Sequence, residues 1–183
     1  MSDTFWNCYA DRNYKNSELL KEFSEYYKKL FAFYNCGRES AIEIGAGQGI
    51  NSEIFIDLFK NYYATEPNKL LFDMLEKLKI NKYPKLMIGN KDASQLLKYK
   101  NTVDFLIFTN SMHCIPINVN EALLNKLIHV NGHVLVLLPN QTINLKLFCQ
   151  VEKTINNIKN FINFKIIYCK EYYSQHVILL KRT

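Results

Sequence analysis

The chain has 183 residues, of which 48% are hydrophobic and 22% charged; this excludes a disordered or fibrous protein and is typical of a globular one. The net charge of +6 permits a nucleic-acid partner, but the lysines form no dense basic run, so a solvated surface is the better explanation of the charge. The five cysteines form no C-x-x-C pair, which argues against a disulfide framework or a metal site. No apolar stretch reaches the roughly 18 residues that cross a membrane. We therefore expect a cytoplasmic protein.

Residues 1–37 contain no predicted strand. Residues 1–16 are polar and aromatic, and we expect them to form either a lid or a packed tail. From Ser17, a good N-cap, apolar residues recur at helical spacing and predict an amphipathic helix that covers one face of a sheet. We predict a single domain over residues 1–183, with an N-terminal arm and helix (1–37) before the core (38–183).

The strongest pattern in the chain is the stretch 41–50. A short apolar run contains Glu43, and glycines then occupy every second position, at Gly45, Gly47 and Gly49. This order predicts a buried strand, a tight turn and the start of a helix. Without a Cβ atom the turn can adopt positive φ and let a ligand lie against bare backbone, and the helix start offers free N–H groups to an anionic group.

The rest of the chain alternates strands with helices. Strands are predicted at 61–65, 85–88, 103–108, 133–138, 164–169 and 177–181, and helices at 69–78, 121–130 and 150–161. Such alternation predicts a parallel α/β sheet with right-handed crossovers. The last two strands have no helix between them, so they should add an antiparallel edge.

Polar residues follow the predicted strands at the edge where such sheets bind ligands. Glu66 lies 17 residues beyond Gly49 and could accept two hydrogen bonds from a ribose diol, although it could also be a plain turn residue. Asp92 could bind a ligand or cap a helix. Asn110 and Ser111 follow the fourth strand and could also serve as caps.

These landmarks resemble the motifs of the Rossmann-like S-adenosylmethionine-dependent methyltransferases. Their first motif reads acidic-x-Gly-x-Gly-x-Gly, which Glu43, Gly45, Gly47 and Gly49 match without a gap, and the similarity runs over roughly residues 38 to 138. The resemblance implies a three-layer α/β sandwich with a mostly parallel seven-stranded sheet and an antiparallel C-terminal edge strand. It also implies S-adenosyl-L-methionine as cofactor and S-adenosyl-L-homocysteine as product.

The resemblance also implies roles for the residues at the strand ends. Glu66 would bind the ribose hydroxyls with the next residues beside adenine, Asp92 would meet the adenine amino group, and the backbone of Asn110 and Ser111 would contact the methionine portion. The implied cofactor-binding residues are Glu43, Gly45, Ala46, Gly47, Gly49, Glu66, Pro67, Asn68, Asp92, Ala93, Asn110 and Ser111.

His113 is the candidate catalytic base. Methyl transfer mainly needs alignment of a nucleophile with the methyl group, and a base matters only if the nucleophile arrives protonated. Histidine titrates near neutral pH, and this one follows the fourth strand, where it would face the methyl donor. The alternative is an ordinary, partly buried histidine with a structural role.

The acceptor is the least constrained part of the prediction. The Asn-Pro-Pro-aromatic signature of amino-group methyltransferases is absent at 109–114, which disfavours methylation of adenine. The stretch 111–114 instead resembles the small-residue, x, His, aromatic stretch of the trans-aconitate methyltransferase group, in which an N-terminal arm with Tyr and Arg holds an acidic substrate. That resemblance implies Tyr9 and Arg12 as substrate-binding residues.

We therefore predict a methyltransferase that acts on a small acidic or hydroxylated molecule. The short segments 140–144 and 171–175 leave the acceptor side open, and an open basic face would also suit RNA or protein. The alternatives are thus an RNA or protein methyltransferase and a noncatalytic scaffold that binds S-adenosylmethionine.

Overall fold

The structure is a computed structural model that describes residues 17–99, 102–140, 145–173 and 175–183. The elements of these ranges alternate between helix and strand until the last two strands. In chain order they are α1 Ser17–Phe33, β1 Ser40–Ile44, α2 Ile50–Phe55, β2 Asn61–Thr65, α3 Lys69–Asn81, β3 Met87–Gly89, α4 Ala93–Leu96, β4 Val103–Thr109, α5 Ile117–Leu127, β5 Ile128–Pro139, α6 Leu145–Ile158, β6 Phe164–Tyr172 and β7 Gln175–Arg182. Short 3-10 turns occur at Ile56–Leu58 and Met112–Cys114.

The strands form one seven-stranded sheet in the order β3-β2-β1-β4-β5-β7-β6. Strands β1 to β5 pair in parallel, whereas β7 pairs antiparallel with both β5 and the edge strand β6. This confirms the predicted fold class. Because the parallel strands point the same way, Ile44 lies beside Thr65 and Phe108, and the ends of β1, β2 and β4 meet at one edge of the sheet, the carboxyl edge.

Helices cover both faces of the sheet, so the core has two halves. Alternate residues of β4 supply both: Phe105 and Ile107 pack with α1, α2 and α3, while Leu106 and Phe108 pack with α4, α5 and α6. All four side chains are fully buried. A strand covered on both faces reads as a continuous apolar run, which is why β4 was clear from the sequence.

The predicted helix 121–130 is wrong at both ends. Helix α5 begins at Ile117, after Pro116, and ends at Leu127, where β5 begins. The register of β4 against β5 shifts there, because Val103 pairs with Ile128 but Phe105 pairs with His133. Asn131 and Gly132, which predicted the end of the helix, therefore belong to the irregular start of a strand.

Other boundaries differ by a few residues. β3 begins two residues later than predicted, α6 spans Leu145–Ile158 rather than 150–161, and the last two strands extend to Tyr172 and Arg182. Within the described ranges, none of the helices has the length and apolar character needed to cross a bilayer.

One buried histidine should make stability depend on pH. His133 is 2% exposed, its ring lies on that of Phe105 at 5.9 Å, and burial, with the nearby charges of Lys181 and His129, lowers its pKa to about 4. The folded state therefore disfavours the proton that the unfolded chain binds below its ordinary pKa of 6.5. We expect stability to be full above pH 6.5 and to fall as the pH drops towards 4.

His133→Phe should remove part of this acid sensitivity. Urea unfolding at pH 7.5 and pH 4.5 should show that the variant loses about 2 kcal/mol less than the native chain between these pH values. His129→Asn is a control with the opposite effect. A hydrogen bond to Asp104 raises the pKa of His129 and stabilises the protonated ring at low pH, so this variant should lose more stability than the native chain on acidification. Equal acid losses in the native chain and His133→Phe would contradict the assignment.

Candidate active site

The glycine loop lies at the carboxyl edge and connects β1 to α2. Gly45, Gly47 and Gly49 all have positive φ, at 73°, 61° and 91°. The backbone N–H groups of Gly45 and Ala46 both donate to the carbonyl of Thr65, at 2.9 Å, which fixes the loop to the end of β2. The left-handed backbone explains why glycine is needed at these three positions.

The three glycines differ in what surrounds them. A Cβ atom at Gly45 would lie 2.6 Å from Cβ of Ser111, and one at Gly49 would lie 2.6 Å from Leu78, so these two glycines allow close packing. A Cβ at Gly47 would meet nothing within 4 Å. Gly47 therefore presents bare backbone to open space. A nucleoside cofactor needs such a surface to lie against, so the glycine loop fits this kind of ligand.

Glu66 lies beside this opening at the end of β2. Its carboxylate accepts hydrogen bonds from the backbone N–H groups of Gly47 and Asn68, both at 2.8 Å, and the residue is 6% exposed. Burial raises the pKa of Glu66, and the two N–H donors oppose that rise. A carboxylate has about four lone-pair positions, so Glu66 retains capacity for further donors such as ribose hydroxyls.

Glu43, by contrast, points into the protein. It is fully buried and accepts hydrogen bonds from Ser52 (2.5 Å) and Tyr62 (2.8 Å) at one oxygen and from Thr109 (2.7 Å) at the other. Burial raises the pKa of its carboxyl group, and these hydroxyls oppose the rise. The acid of the first motif thus joins β1, α2, β2 and β4 beneath the loop, and a direct cofactor contact stays a prediction.

Four further predicted cofactor residues follow the ends of β2 and β3. Asn68 caps α3 by accepting from Leu71 N at 3.1 Å, and Pro67 is exposed beside it. Asp92 caps α4, accepting from Gln95 N at 2.9 Å, and Ala93 is half-buried. The structure shows the capping role that the sequence allowed for Asp92, while the adenine contact stays a prediction.

Asn110 and Ser111 connect the end of β4 to the glycine loop. The hydroxyl of Ser111 donates to the carbonyl of Ile44, so the segment after β4 is attached to the last residue of β1. Asn110 has a left-handed backbone with φ of 55°, and its N–H donates to Leu137 at 2.9 Å. Its side-chain oxygen is buried and has no hydrogen-bond partner among the described residues.

His113 lies in the 3-10 turn that follows. Burial lowers its pKa to about 4, so the ring is neutral at physiological pH, and its Nδ1 atom has no partner in the described part of the chain. A group with this pKa is a weak base. It suits a methyl acceptor that loses its proton readily, without a strong base. The catalytic role stays a prediction, and the proposed substrate residues Tyr9 and Arg12 lie outside the described residues.

The sequence did not identify the hydroxyl partners of Glu43. Ser52, Tyr62 and Thr109 come from three different elements and meet only when the sheet forms. The weak signal available was that Tyr62 and Thr109 stand in apolar strands, where a polar group needs a buried partner.

A protein-family model matches the chain. The model described as "Ribosomal RNA adenine dimethylase" matches residues 35–158, a segment that contains the whole cluster from Glu43 to His113. No curated protein sequence matches the chain.

Solved structures share the fold. An S-adenosylmethionine-dependent methyltransferase from Clostridium acetobutylicum is 13% identical, with a TM-score of 0.66 over 96% of this chain and 94% of that one. The ribosomal protein L11 methylase of Lactobacillus delbrueckii is 15% identical, with a TM-score of 0.62 over 93% and 80%. The fibrillarin/Nop5p complex contains a chain that is 17% identical, with a TM-score of 0.60 over 79% and 73%.

Proposed function

The chain belongs to the ribosomal RNA adenine dimethylase family and is an S-adenosylmethionine-dependent methyltransferase, and from this premise we propose that it methylates the exocyclic amino group of adenine in RNA. The family match supports an RNA acceptor over the small acidic molecule that the sequence suggested. The net charge of +6 is compatible with a polyanionic partner.

The observation that carries the proposal is the buried side-chain oxygen of Asn110, which none of the described residues supplies with a hydrogen bond. An amide oxygen accepts hydrogen bonds, and a buried acceptor without a donor is costly unless a ligand supplies one. An adenine amino group has two N–H donors to offer. A carboxylate acceptor has none.

The residues 110–113 lack the full Asn-Pro-Pro-aromatic signature, an absence that disfavoured adenine in the sequence, but they keep part of it. They keep the asparagine of the Asn-Pro-Pro-aromatic signature, and His113 places a ring at its last position. Ser111 and Met112 replace the two prolines. The hydroxyl of Ser111 holds the segment by its bond to Ile44, so part of what rigid prolines would provide is supplied by a hydrogen bond.

The glycine loop, Glu66 and the segment that contains Asp92 and Ala93 would hold S-adenosylmethionine, which supplies a methyl group on a sulfonium. The side-chain oxygen of Asn110 would orient the adenine amino group by accepting a hydrogen bond from one of its N–H groups. The neutral ring of His113 would stack beside the base, and a methylated aromatic amine readily releases its proton to water. A hydroxyl acceptor would need a stronger base than a group with a pKa of about 4.

Labelled methyl transfer from S-adenosylmethionine tests the choice of acceptor. The full chain should label unmodified ribosomal RNA and leave a panel of small carboxylic acids and alcohols unlabelled. Binding to that RNA should weaken steeply as salt rises, since phosphate contacts release counterions. Labelling of a small acid without labelling of RNA would overturn the proposal and restore the acceptor that the sequence suggested.

Glu66→Ala should weaken the binding of S-adenosylmethionine by about 1–3 kcal/mol, because the ribose hydroxyls would lose their acceptor. Isothermal titration calorimetry measures the effect. Glu39→Ala is the matched control, because Glu39 is exposed and paired with Lys60 at the opposite edge of the sheet. If Glu66→Ala kept the native affinity, Glu66 would not belong to the cofactor site.

A further inference from the structure

Asn120 is a polar residue on the apolar face of α5. Leu123, Leu124 and Leu127 follow it at helical spacing of three, four and seven residues, and all are buried against the sheet. Asn120 itself is only 1% exposed. An apolar residue would be the ordinary choice at this position.

The side chain of Asn120 holds the turn that contains His113. Its amide nitrogen donates to the carbonyl of Met112 at 3.1 Å and to the carbonyl of Ile115 at 3.2 Å. These two carbonyls lie on either side of His113. The other end of the same segment is held by the bond from Ser111 to Ile44, so the turn is fixed at both ends.

Asn120 achieves this at an energetic cost. Its side-chain oxygen is buried without a partner among the described residues, and such an oxygen has lost its hydrogen bonds to water. Leucine would fill a similar volume without that penalty. Packing alone therefore does not explain why asparagine occupies this position, whereas its two donated hydrogen bonds do.

We propose that Asn120 is a positioning residue for methyl transfer, which holds the turn 111–115 so that Asn110 and His113 face the acceptor. Within the described part of the chain, the side chain of Asn120 bonds to the backbone of the turn and to no side chain of the site. Small displacements of groups that align reactants can cost 10²-fold in rate. This inference rests on the proposed function for its assay acceptor, ribosomal RNA.

Asn120→Leu and Asn120→Asp test the proposal. Both keep the approximate size of the side chain and remove the amide donors. With saturating RNA and cofactor, we expect kcat to fall about 10- to 100-fold. The Kd for S-adenosylmethionine should stay within about threefold, since the glycine loop and Glu66 are untouched. Asn125→Asp, an exposed change in the same helix, should have native kinetics.

The pH profile distinguishes a positioning role from a purely structural one. A protonated aspartic acid can donate one hydrogen bond, whereas the carboxylate repels both carbonyls. The activity of Asn120→Asp relative to the native enzyme should therefore rise as the pH falls from 8 to 6, and that of Asn120→Leu should stay constant. Recovery of this kind in protein that circular dichroism shows to be folded at both pH values follows from donation to the turn.

Three results would overturn the inference. The first is a native kcat in both variants. The second is a rise in the Kd for S-adenosylmethionine that matches the fall in kcat. The third is loss of the folded state in both variants, which would make Asn120 a core residue only. Failure of the proposed function looks different, because the native enzyme would then not label RNA at all. The same variants would in that case be assayed with the acceptor that the native enzyme does methylate.

Discussion

Replacement of Asn110 by glycine is expected to lower kcat at least 10²-fold while S-adenosylmethionine still binds. The proposed bond between the amide oxygen and the amino nitrogen forms beside the reacting atoms, where the loss of one oriented polar contact typically costs 10²- to 10³-fold. Glycine is the appropriate replacement because residue 110 has φ of 55°. Alanine would add backbone strain to the effect, and glycine does not.

Asn110→Asp is the matched partner of that variant. It keeps the shape and an acceptor oxygen and tolerates the left-handed backbone, so it should retain more activity than Asn110→Gly. Single-turnover methylation of RNA and calorimetric binding of the cofactor measure the two effects separately. Native turnover in Asn110→Gly would remove Asn110 from the acceptor site.

His113→Ala is expected to lower kcat/KM for RNA about 10- to 100-fold, and His113→Phe is expected to stay within about tenfold of the native value. The proposed contact is a ring beside the adenine base, and stacking of this kind is worth about 1–3 kcal/mol per base. Phenylalanine keeps the ring and removes both nitrogens. If Phe were as damaging as Ala, the imidazole would be needed for its proton chemistry.

The pH dependence checks the same assignment independently. Because burial lowers the pKa of His113 to about 4, its protonation state does not change between pH 6 and pH 9. The native kcat/KM should therefore show no ionisation of this residue in that range. An inflection between pH 6 and 7 that disappears in His113→Phe would show that His113 has an ordinary pKa and acts as a base.

The fold and the cofactor motif could be predicted because they depend on residues close together in the sequence. β4 reads as an unbroken apolar run because both of its faces are covered, and Gly45, Gly47 and Gly49 are each required by a left-handed backbone. Such constraints act within a few residues. They are therefore visible in a single sequence.

Features that depend on contacts between distant elements could not be predicted. The irregular start of β5 depends on its register against β4, so the helix before it was placed too far along the chain. The burial of Glu43 beneath the glycine loop depends on hydroxyl groups from α2, β2 and β4. The role of Asn120 required its bonds to Met112 and Ile115, although its helical spacing with Leu123 and Leu127 already placed it on the buried face.

Identifying the atom that receives the methyl group is the most direct test of an amino-group methyltransferase. Ribosomal RNA labelled by the native enzyme would be digested to nucleosides and separated, and the labelled nucleoside would be identified by mass spectrometry. We expect the label to lie on the exocyclic amino nitrogen of adenosine and to be absent with Asn110→Gly. Label on a ribose hydroxyl or on another base would contradict an amino-group site built around Asn110.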